Sequence, residues 1–355
     1  YYKSVFMCLN KNEISIRLLN HKEFNELHDF IKKQWSEFHI LSYNTELLDW
    51  QHKAKNYYNC VAAFKSGKIV GLHCVIPMNQ FDDNLPLNQI FLSLWRAIEG
   101  VGVSIGFRMY NYVLKEYKPD FIGSVGITRK VFDSGFHRRL GYKIGTMDHS
   151  VIISPFVNDF NIAYIPDLKP IRKNQGAATS YKSAFVRISK DELYDFKSKH
   201  LYLYQTPIKS DIYIYNRYFN HPIYKYHVYA LISKDNNLIA LCVIRPIHVN
   251  NSVVLRFVDY IGSSQSFPQL YNHLICILKE YKAEYIDLYS YGLPLEVLKE
   301  SKFLNIKEIK GLIIPNHFEP FERKNIDIKY AYKNLIGGQT VRLFKADADQ
   351  DRPNC

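Results

Sequence analysis

LKEYKPDFI, residues 114–122, and LKEYKAEYI, residues 278–286, are nearly the same nine residues met twice in one chain. Their flanks match as well. AAFKSGKIVGLHCVIP and NQIFLSLWRAI precede the first copy, and ALISKDNNLIALCVIRPI and SVVLRFVDYIG precede the second. Each set reads as strands punctuated by a turn, Lys-Ser-Gly-Lys in one case and Lys-Asp-Asn-Asn in the other. After each copy come a strand (FIGSVGI; YIDLYSYG), a short helix (VFDSGFHRRLGY; LEVLKESKF) and a last strand (VIIS; GLIIP). The openings also rhyme: SIRLLNHKEFNELHDFI and FVRISKDELYDFKSKH both read as strand, polar N-cap and helix. The repeated unit is therefore β-α-(insert)-β-β-β-α-β-α-β.

Two such units predict an α/β (α+β) protein of two tandem domains, each a mixed, mostly antiparallel twisted sheet flanked by helices. The expected boundaries are 1–155 and 183–332. A Pro/Gly/Asn-bearing linker at 156–182 separates them, and 333–355 forms a C-terminal strand and polar tail.

Composition agrees with that frame. A chain of 355 residues favours two domains, and 47% hydrophobic with 23% charged residues is ordinary for a globular protein. No apolar run approaches the length of a membrane span, so no membrane partner is expected. The start shows no secretory pattern, and Tyr1 marks an N-terminus that was trimmed or lies outside the sequence. Six cysteines, Cys8, Cys60, Cys74, Cys242, Cys276 and Cys355, show no paired spacing. Four of them, Cys60, Cys74, Cys242 and Cys276, sit in apolar runs where a free thiol acts as a small hydrophobe, which points to a reducing, cytoplasmic setting. No CxxC or His/Cys cluster suggests a metal. The net charge of +12 raises the question of a polyanionic partner. The basic residues are dispersed, so no nucleic acid is expected, while a small anionic ligand remains compatible.

The chemistry begins at EGVGVSIGFRMYNYVLKEY, residues 99–117. Ile105, Met109, Tyr112 and Val113 mark one helical face directly after a run of small residues. A helix N-terminus approached by bare backbone offers free N–H groups and the positive end of the helix dipole, which suits a pyrophosphate. A tight turn needing only packing clearance would use the same residues. The strand before and the helix after, inside a duplicated β-rich unit, favour phosphate binding. Neither a Walker loop nor a Rossmann turn fits, because Gly-Lys-Ser/Thr is missing and the preceding strands meander.

On these residues the chain resembles the GCN5-related N-acetyltransferases (GNAT). Their coenzyme-A loop, roughly Arg-Gly-x-Gly-Ile-Gly-x-x-Leu-Leu, falls on Val101, Gly102, Val103, Ser104, Ile105 and Gly106 and runs on through Tyr110. Val101 replaces the leading Arg or Gln and Ser104 the middle Gly. The resemblance implies that backbone amides of 103–106 hold the pyrophosphate of acetyl-CoA. It also implies that the preceding strand, Leu94, Trp95, Arg96, Ala97 and Ile98, lies along the pantetheine arm. A second family signature, Leu-Tyr-x-x-x-Gly-Phe, matches FHRRLGY, residues 136–142, with His137 where the family has a tyrosine that protonates the departing thiolate. A polar residue on an arginine-rich helix end is the plain alternative for His137. The second copy, YIGSSQSFPQLYNHL, holds one glycine and Pro268, which removes a donor. One coenzyme site, in the first copy, is expected.

Tandem units with one coenzyme loop are similar to two groups, the FemABX-like aminoacyltransferases of cell-wall synthesis and acyltransferases found with surface-polysaccharide genes (lipopolysaccharide, capsule, O-antigen). The chain resembles the second through FHILSYNTELLDWQH, YYNCVAAFKSGKIVGLHCVIP, LGYKIGTMDHSVIIS, IIPNHFEPFERKNIDI and LFKADADQDRPN. That resemblance implies transfer of an acyl group to the amine of a nucleotide-linked amino sugar.

The acceptor candidates are weighed on their own chemistry. KADADQDRP places Lys345, Asp347, Asp349, Asp351 and Arg352 after the apolar VRLF. Alternating aspartates on an extended strand share a face and suit sugar hydroxyls or an ammonium. The glycine and distant glutamate of a calcium loop are missing, and a solvated acidic end is the alternative. Asn316, His317, Phe318 and Glu319, set between prolines, suit stacking and hydrogen bonding to a base or sugar; a proline-braced connector is the plainer reading. Asp259 with Tyr260 and Asp287 with Tyr289 are expected at strand ends near the acceptor. For the amine proton the candidates are His39 and Glu37 in WSEFHIL. The expected protein is thus an acyl-CoA-dependent N-acyltransferase, most simply an N-acetyltransferase. The alternatives are a FemABX-like enzyme using aminoacyl-tRNA and a non-catalytic binding protein on a decayed GNAT frame.

Overall fold

In the computed structural model, which describes residues 14–102, 104–176, 181–196 and 198–353, the Lys-Ser-Gly-Lys signal is a hairpin. Ser66 and Gly67 take φ of 50° and 76°, the twist that a two-residue turn between antiparallel strands requires. They join β2 (Tyr57–Lys65) to β3 (Lys68–Pro77), and β1 (Ser15–Asn20) pairs antiparallel with β2 on the other side.

These strands belong to the first of two compact units, formed by the chain up to Pro77 and by Leu92–Pro119. The Glu23 carboxylate accepts from the Asn20 N–H at 2.8 Å and the Asn20 side chain accepts from the Lys22 N–H at 2.9 Å, part of a capping box that leads into α1 (Phe24–Gln34). Leu27, Phe30 and Ile31 of α1 enter the core with Leu47 and Leu48 of α2 (Thr45–His52). The chain then passes into β4 (Gln89–Ala97), which begins in the second unit and ends in the first, and into α3 (Ser104–Tyr117). Helix α3 buries Ile105, Met109, Tyr110 and Val113, close to the expected face. Gly71 permits this packing, since a Cβ there would stand 3.0 Å from Met109 Cε.

Cys60 and Cys74 are register partners in β2 and β3 and are joined as a disulfide. This corrects the expectation of separate free thiols and removes the ground for a reducing compartment. Cys242 is free and buried, whereas Cys276 is free and exposed rather than lodged in the core.

The second unit contains Met78–Phe91 and the chain from Asp120 onward, so the expected boundaries at 155 and 183 both lie inside it. Gln89–Phe91 of β4 pairs in parallel with β5 (Phe121–Val125). Helices α4 (Arg129–Asp133) and α5 (Phe136–Arg139) and strands β6 (Lys143–Thr146) and β7 (Asp148–Ile153) follow. Within 156–182, taken as a linker, α6 (Leu168–Asn174) forms, and Ile162, Ala163 and Ile171 are buried. The Glu284 carboxylate accepts backbone N–H bonds from Asn161, Ile162 and Ala163, which ties this stretch down.

The repeat restarts at β8 (Ser183–Ile188), again with a capping box, here between Ser189 and Glu192. The turn α7 (Asp211–Ile214) comes next, then β9 (His227–Ser233), β10 (Leu238–Val249), β11 (Ser252–Gly262), α8 (Tyr271–Glu280) and β12 (Tyr285–Tyr291). As β4 does with β5, β11 pairs in parallel with β12. The chain continues through α9 (Leu295–Glu300), β13 (Leu304–Asn305), β14 (His317–Phe318), β15 (Phe321–Glu322), β16 (Lys329–Asn334) and β17 (Leu343–Phe344). An eight-stranded sheet runs β13-β7-β12-β11-β10-β9-β8, with β17 also on β12.

The closing strands are not the expected ones: among the described residues GLIIP, residues 311–315, forms only an isolated bridge from Ile313 to Tyr164, and the two copies trade β7 and β16. Strand β7, expected to close the first copy, pairs antiparallel with β12, and β16 pairs with β5 and β6. Each copy is completed by a strand from the other end of the repeat. Among the described residues, no helix is long and apolar enough to cross a membrane.

Candidate functional site

In the first unit, β4 delivers the chain to the glycine loop. Gly100 and Gly102 take φ of +83° and +101°, conformations that L side chains rarely adopt, and no atom lies within 4 Å of where their Cβ would be. Gly106 needs no such backbone. A Cβ there would meet only Trp95 Nε1, at 3.7 Å. At the glycines themselves the entry to α3 is open, while the Ser104 and Phe107 side chains of the first turn are exposed. Ser104 and Gly102 are exposed, Ile105 is buried and Val101 half-buried. Val103 lies outside the described residues.

The side chains expected along the coenzyme are engaged elsewhere in this unit, which leaves the backbone. Leu94 is in the core. Trp95 stacks on His73 at 4.1 Å and on Tyr110 at 5.8 Å, pinning α3 to β3 and β4. Arg96 donates to the Gln34 carbonyl, and its guanidinium lies 5.9 Å from the Trp35 ring. The Ile98 N–H donates to Val70 O at 2.9 Å, so one donor expected for pantetheine is already used, and Ala97 is half-buried beside it. His39 caps the turn Ile40–Ser42, its Nδ1 accepting from the Leu41 N–H at 3.3 Å, and Glu37 is exposed before it.

In the second unit, His137 is buried between the Phe136 and Tyr142 rings. Burial lowers its pKa to about 4, so the ring is neutral at pH 7. A neutral imidazole there can offer a departing thiolate a hydrogen bond through its ring N–H.

The same unit holds a cavity of about 330 Å³. The structure brings Asn316, His317, Phe318, Glu319, Lys345, Asp349 and Arg352 to its walls, two separate polar clusters of the sequence meeting in one place. Its base is built from residues that the sequence reading passed over. Arg245 of β10 and Arg256 of β11 are register partners. Asp351 holds Arg245 bidentately at 2.8 and 3.0 Å, and Asp287 holds Arg256 at 2.8 and 3.1 Å. Burial alone would raise the Asp287 carboxyl, but Arg256 and His149 outweigh it and bring it to about 2. Burial likewise opposes ionisation of Asp351, and Arg245 holds it well below the usual carboxylate range. His149, whose pKa burial lowers, bonds Asp287 at 3.1 Å and stacks on Tyr289 at 3.8 Å. The Tyr289 hydroxyl donates to Ile326 O at 3.0 Å. Asp287 and Tyr289 thus support the cavity from beneath and do not line it.

The C-terminal polar run is neither a solvated end nor an extended strand with its aspartates on one face. A turn with Ala348 at φ +56° sends them apart. Asp347 pairs with the buried Lys209 at 2.9 Å, Asp349 with Arg352 at 3.2 Å and Asp351 with Arg245. Asp259, expected at a strand end near the acceptor, is fully buried on Lys209 at 2.7 and 2.8 Å and also accepts from the Tyr218 hydroxyl. Tyr260 is buried against Phe267 and donates to Ser263 O at 2.7 Å. Neither reaches the cavity.

No family model and no curated protein matches the chain. Solved structures do, along most of its length. A GCN5-related N-acetyltransferase from Anabaena variabilis matches over 91% of this chain and 73% of its own, with a TM-score of 0.55 and 10% identity. One from Kribbella flavida covers 91% and 71%, at 0.51 and 8%. An Enterococcus faecalis protein described as a probable N-acyltransferase covers 91% and 73%, at 0.52 and 10%. The chain has the GNAT fold. At such identities the likeness concerns the fold, and the residues must speak for the chemistry.

Two residues of the cavity base that sequence reasoning missed did carry a signal. Arg245 in CVIRPI and Arg256 in VLRFV interrupt apolar strand runs, and a guanidinium buried there must find carboxylates. Tyr224, whose ring lies 3.8 Å from the Arg245 guanidinium, carried none among so many tyrosines.

Proposed function

We propose that the protein is an acyl-CoA-dependent N-acyltransferase, most simply an N-acetyltransferase, whose acceptor is a nucleotide-linked amino sugar of surface-polysaccharide synthesis. One observation carries the donor half: the bare entry to α3, where Gly100 and Gly102 bend the loop and Gly106 leaves the first turn open. Coenzyme A carries a diphosphate, and the free N–H groups and dipole of that helix end suit it. The GNAT fold of the chain supports the same reading.

For the acceptor half, the support is a cavity walled by arginines, a lysine, an amide and an aromatic ring, groups that match a phosphate-bearing sugar. The reaction forms an amide from amine and thioester, releasing coenzyme A as the thiol; the amine loses a proton and the sulfur gains one. In this reading His39, with Glu37 near it, takes the amine proton. His137 contributes a hydrogen bond to the sulfur. Holding the two reactants together supplies most of the rate.

Thiol release from acetyl-CoA, measured over a panel of nucleotide-linked amino sugars with mass detection of the product, tests this. Release that depends on one amino sugar, with an N-acylated product, is the expected result. Absence of release with the whole panel, together with no calorimetric binding of coenzyme A at millimolar concentration, overturns it.

A further inference from the structure

The cavity in the second unit contains a mismatch of partners. Arg245, Arg256 and Arg352 each have a carboxylate: Asp351, Asp287 and Asp349. Lys345 has none. Only 3% exposed, it makes no ion pair and no hydrogen bond among the described residues, and its Nζ lies 5.5 Å from the centre of the Tyr289 ring. Burial, reinforced by Arg256, lowers its pKa to about 7. Asn316 repeats the pattern with the opposite polarity. It is 6% exposed, and its Oδ1 is buried without a partner. Its backbone carbonyl is fixed by Arg256 Nη1 at 3.1 Å, so the amide is presented from a rigid base. A buried cation and a buried acceptor that the protein does not satisfy both line one cavity.

A ligand that satisfies both carries an anion and, beside it, a hydroxyl or N–H donor. Glu319, held by the Tyr224 hydroxyl at 3.0 Å, adds a second acceptor on the same wall. At about 330 Å³ the cavity sits at the small end of ligand clefts, large enough for a phosphate and one ring and too small for a whole coenzyme. We propose that this cavity is a phosphate subsite in which Lys345 grips the phosphate of a nucleotide-linked or phosphorylated sugar, while Asn316 and Glu319 receive its hydroxyls. The sugar and the choice of phosphate as the anion follow from the acceptor class proposed above; the need for an anion follows from Lys345 alone.

Binding is then linked to a proton. Without ligand, Lys345 faces Arg245 and Arg256, with His149 and His317 nearby, against Asp287 and Asp351, whose charges those arginines already use. An incoming phosphate supplies the missing anion and restores the ammonium. Above neutral pH the complex therefore takes up a proton.

The full chain, without any acyl donor, is titrated calorimetrically with inorganic pyrophosphate, UDP and UDP-glucose near pH 8 in buffers of different ionisation enthalpy. The expected result is binding with uptake approaching one proton per site. Lys345→Met should weaken binding about tenfold or more and abolish the uptake. Lys345→Arg, always charged, should keep binding within a few fold and also lose the uptake. Both variants replace the buried amine, and a cooperative thermal unfolding transition for each confirms that it folds. No binding of any probe at millimolar concentration, or binding without uptake that Lys345→Met leaves unaltered, overturns the proposal. UDP binding with uptake but no thiol release on any amino sugar sinks the transferase reading and leaves the subsite standing. Thiol release without uptake does the reverse.

Discussion

After β4 the chain turns through Gly100 and Gly102 and enters α3 with open space around both glycines. After β11, at the matching point of the second copy, it turns through Gly262 and Ser263 into the 3-10 turn Ser264–Leu270, where Phe267, Pro268 and Leu270 are buried. A Cβ on Gly262 would stand 2.7 Å from Ala240 Cβ and 3.1 Å from Ile239 O. Arg342 Nη1 donates to the Gly262 carbonyl at 2.6 Å, and Tyr260 and Phe267 close the space edge to face at 4.9 Å. The two corners share a strand, a turn and a helix, yet one is left bare and the other is filled. The fold therefore does not demand the emptiness at α3. The second copy instead invests its buried polar groups in the cavity lined by Arg245 of β10 and Arg256 of β11, with Asp287 of β12 behind them.

The largest effect should come from breaking that investment. Asp351→Asn leaves Arg245 buried without its bidentate carboxylate, and losing one member of such a pair costs about 3–5 kcal/mol. Urea unfolding followed by fluorescence should show the unfolding free energy fall by that amount. A change near zero would mean that the cavity base is wet and the contrast between the copies is only one of shape.

A smaller effect separates the two buried lysines of the second unit. Lys209 lies between Asp259 and Asp347, whose charges outweigh burial and raise its pKa, while Lys345 is lowered to about 7. For Lys345 the unfolded chain, titrating near 10.5, binds more protons than the folded chain between about pH 7 and 10.5. Its contribution to stability must therefore rise with pH across that window. Lys209 works in the opposite direction and only above its ordinary value, where stability is lost as the unfolded lysine deprotonates. The stability of the wild type relative to Lys345→Met should climb from pH 7 to pH 9, as measured by chemical denaturation at each pH. A flat difference would show that Lys345 has found an anion within the protein.

The duplication was legible because it is written in local patterns: matched turns, matched caps at Asn20 and Ser189, and a helix after a strand of one kind, although α3 has 14 residues and α8 has 10, and the 11-residue α1 is answered by a short 3-10 turn. The exchange of β7 and β16 was not. VIIS and KYAYKN each satisfy a strand, and nothing in a strand's own residues names the edge it will close; that choice depends on which edge the assembled sheet leaves open. The disulfide escaped for a related reason, since Cys60 and Cys74 become neighbours only once the register of β2 on β3 is set. At the cavity, polar residues braced by prolines or following an apolar strand stood out, so Asn316 to Glu319, Lys345, Asp349 and Arg352 were flagged. Asp259 drew the same attention, although its partner, Lys209, lay in TPIKSD, where no local pattern marks a lysine as buried.

The smallest effect tests the comparison at its root. Gly106→Ala and Gly262→Ala place the same methyl group at the two corners. At Gly262 it collides with Ala240 and the Ile239 carbonyl, and such overpacking costs about 1–3 kcal/mol. At Gly106 it meets only the edge of Trp95, and alanine in place of glycine within a helix gains about 0.5–1 kcal/mol. If the first turn of α3 is kept bare for a diphosphate, that more stable variant should bind coenzyme A about tenfold more weakly, because the methyl stands where the phosphate must approach the backbone. Thermal unfolding and calorimetric titration on the same two proteins read both quantities. A Gly106→Ala protein that gains stability and keeps its affinity would leave the glycine without a ligand to explain it, and the two corners would then differ in packing alone.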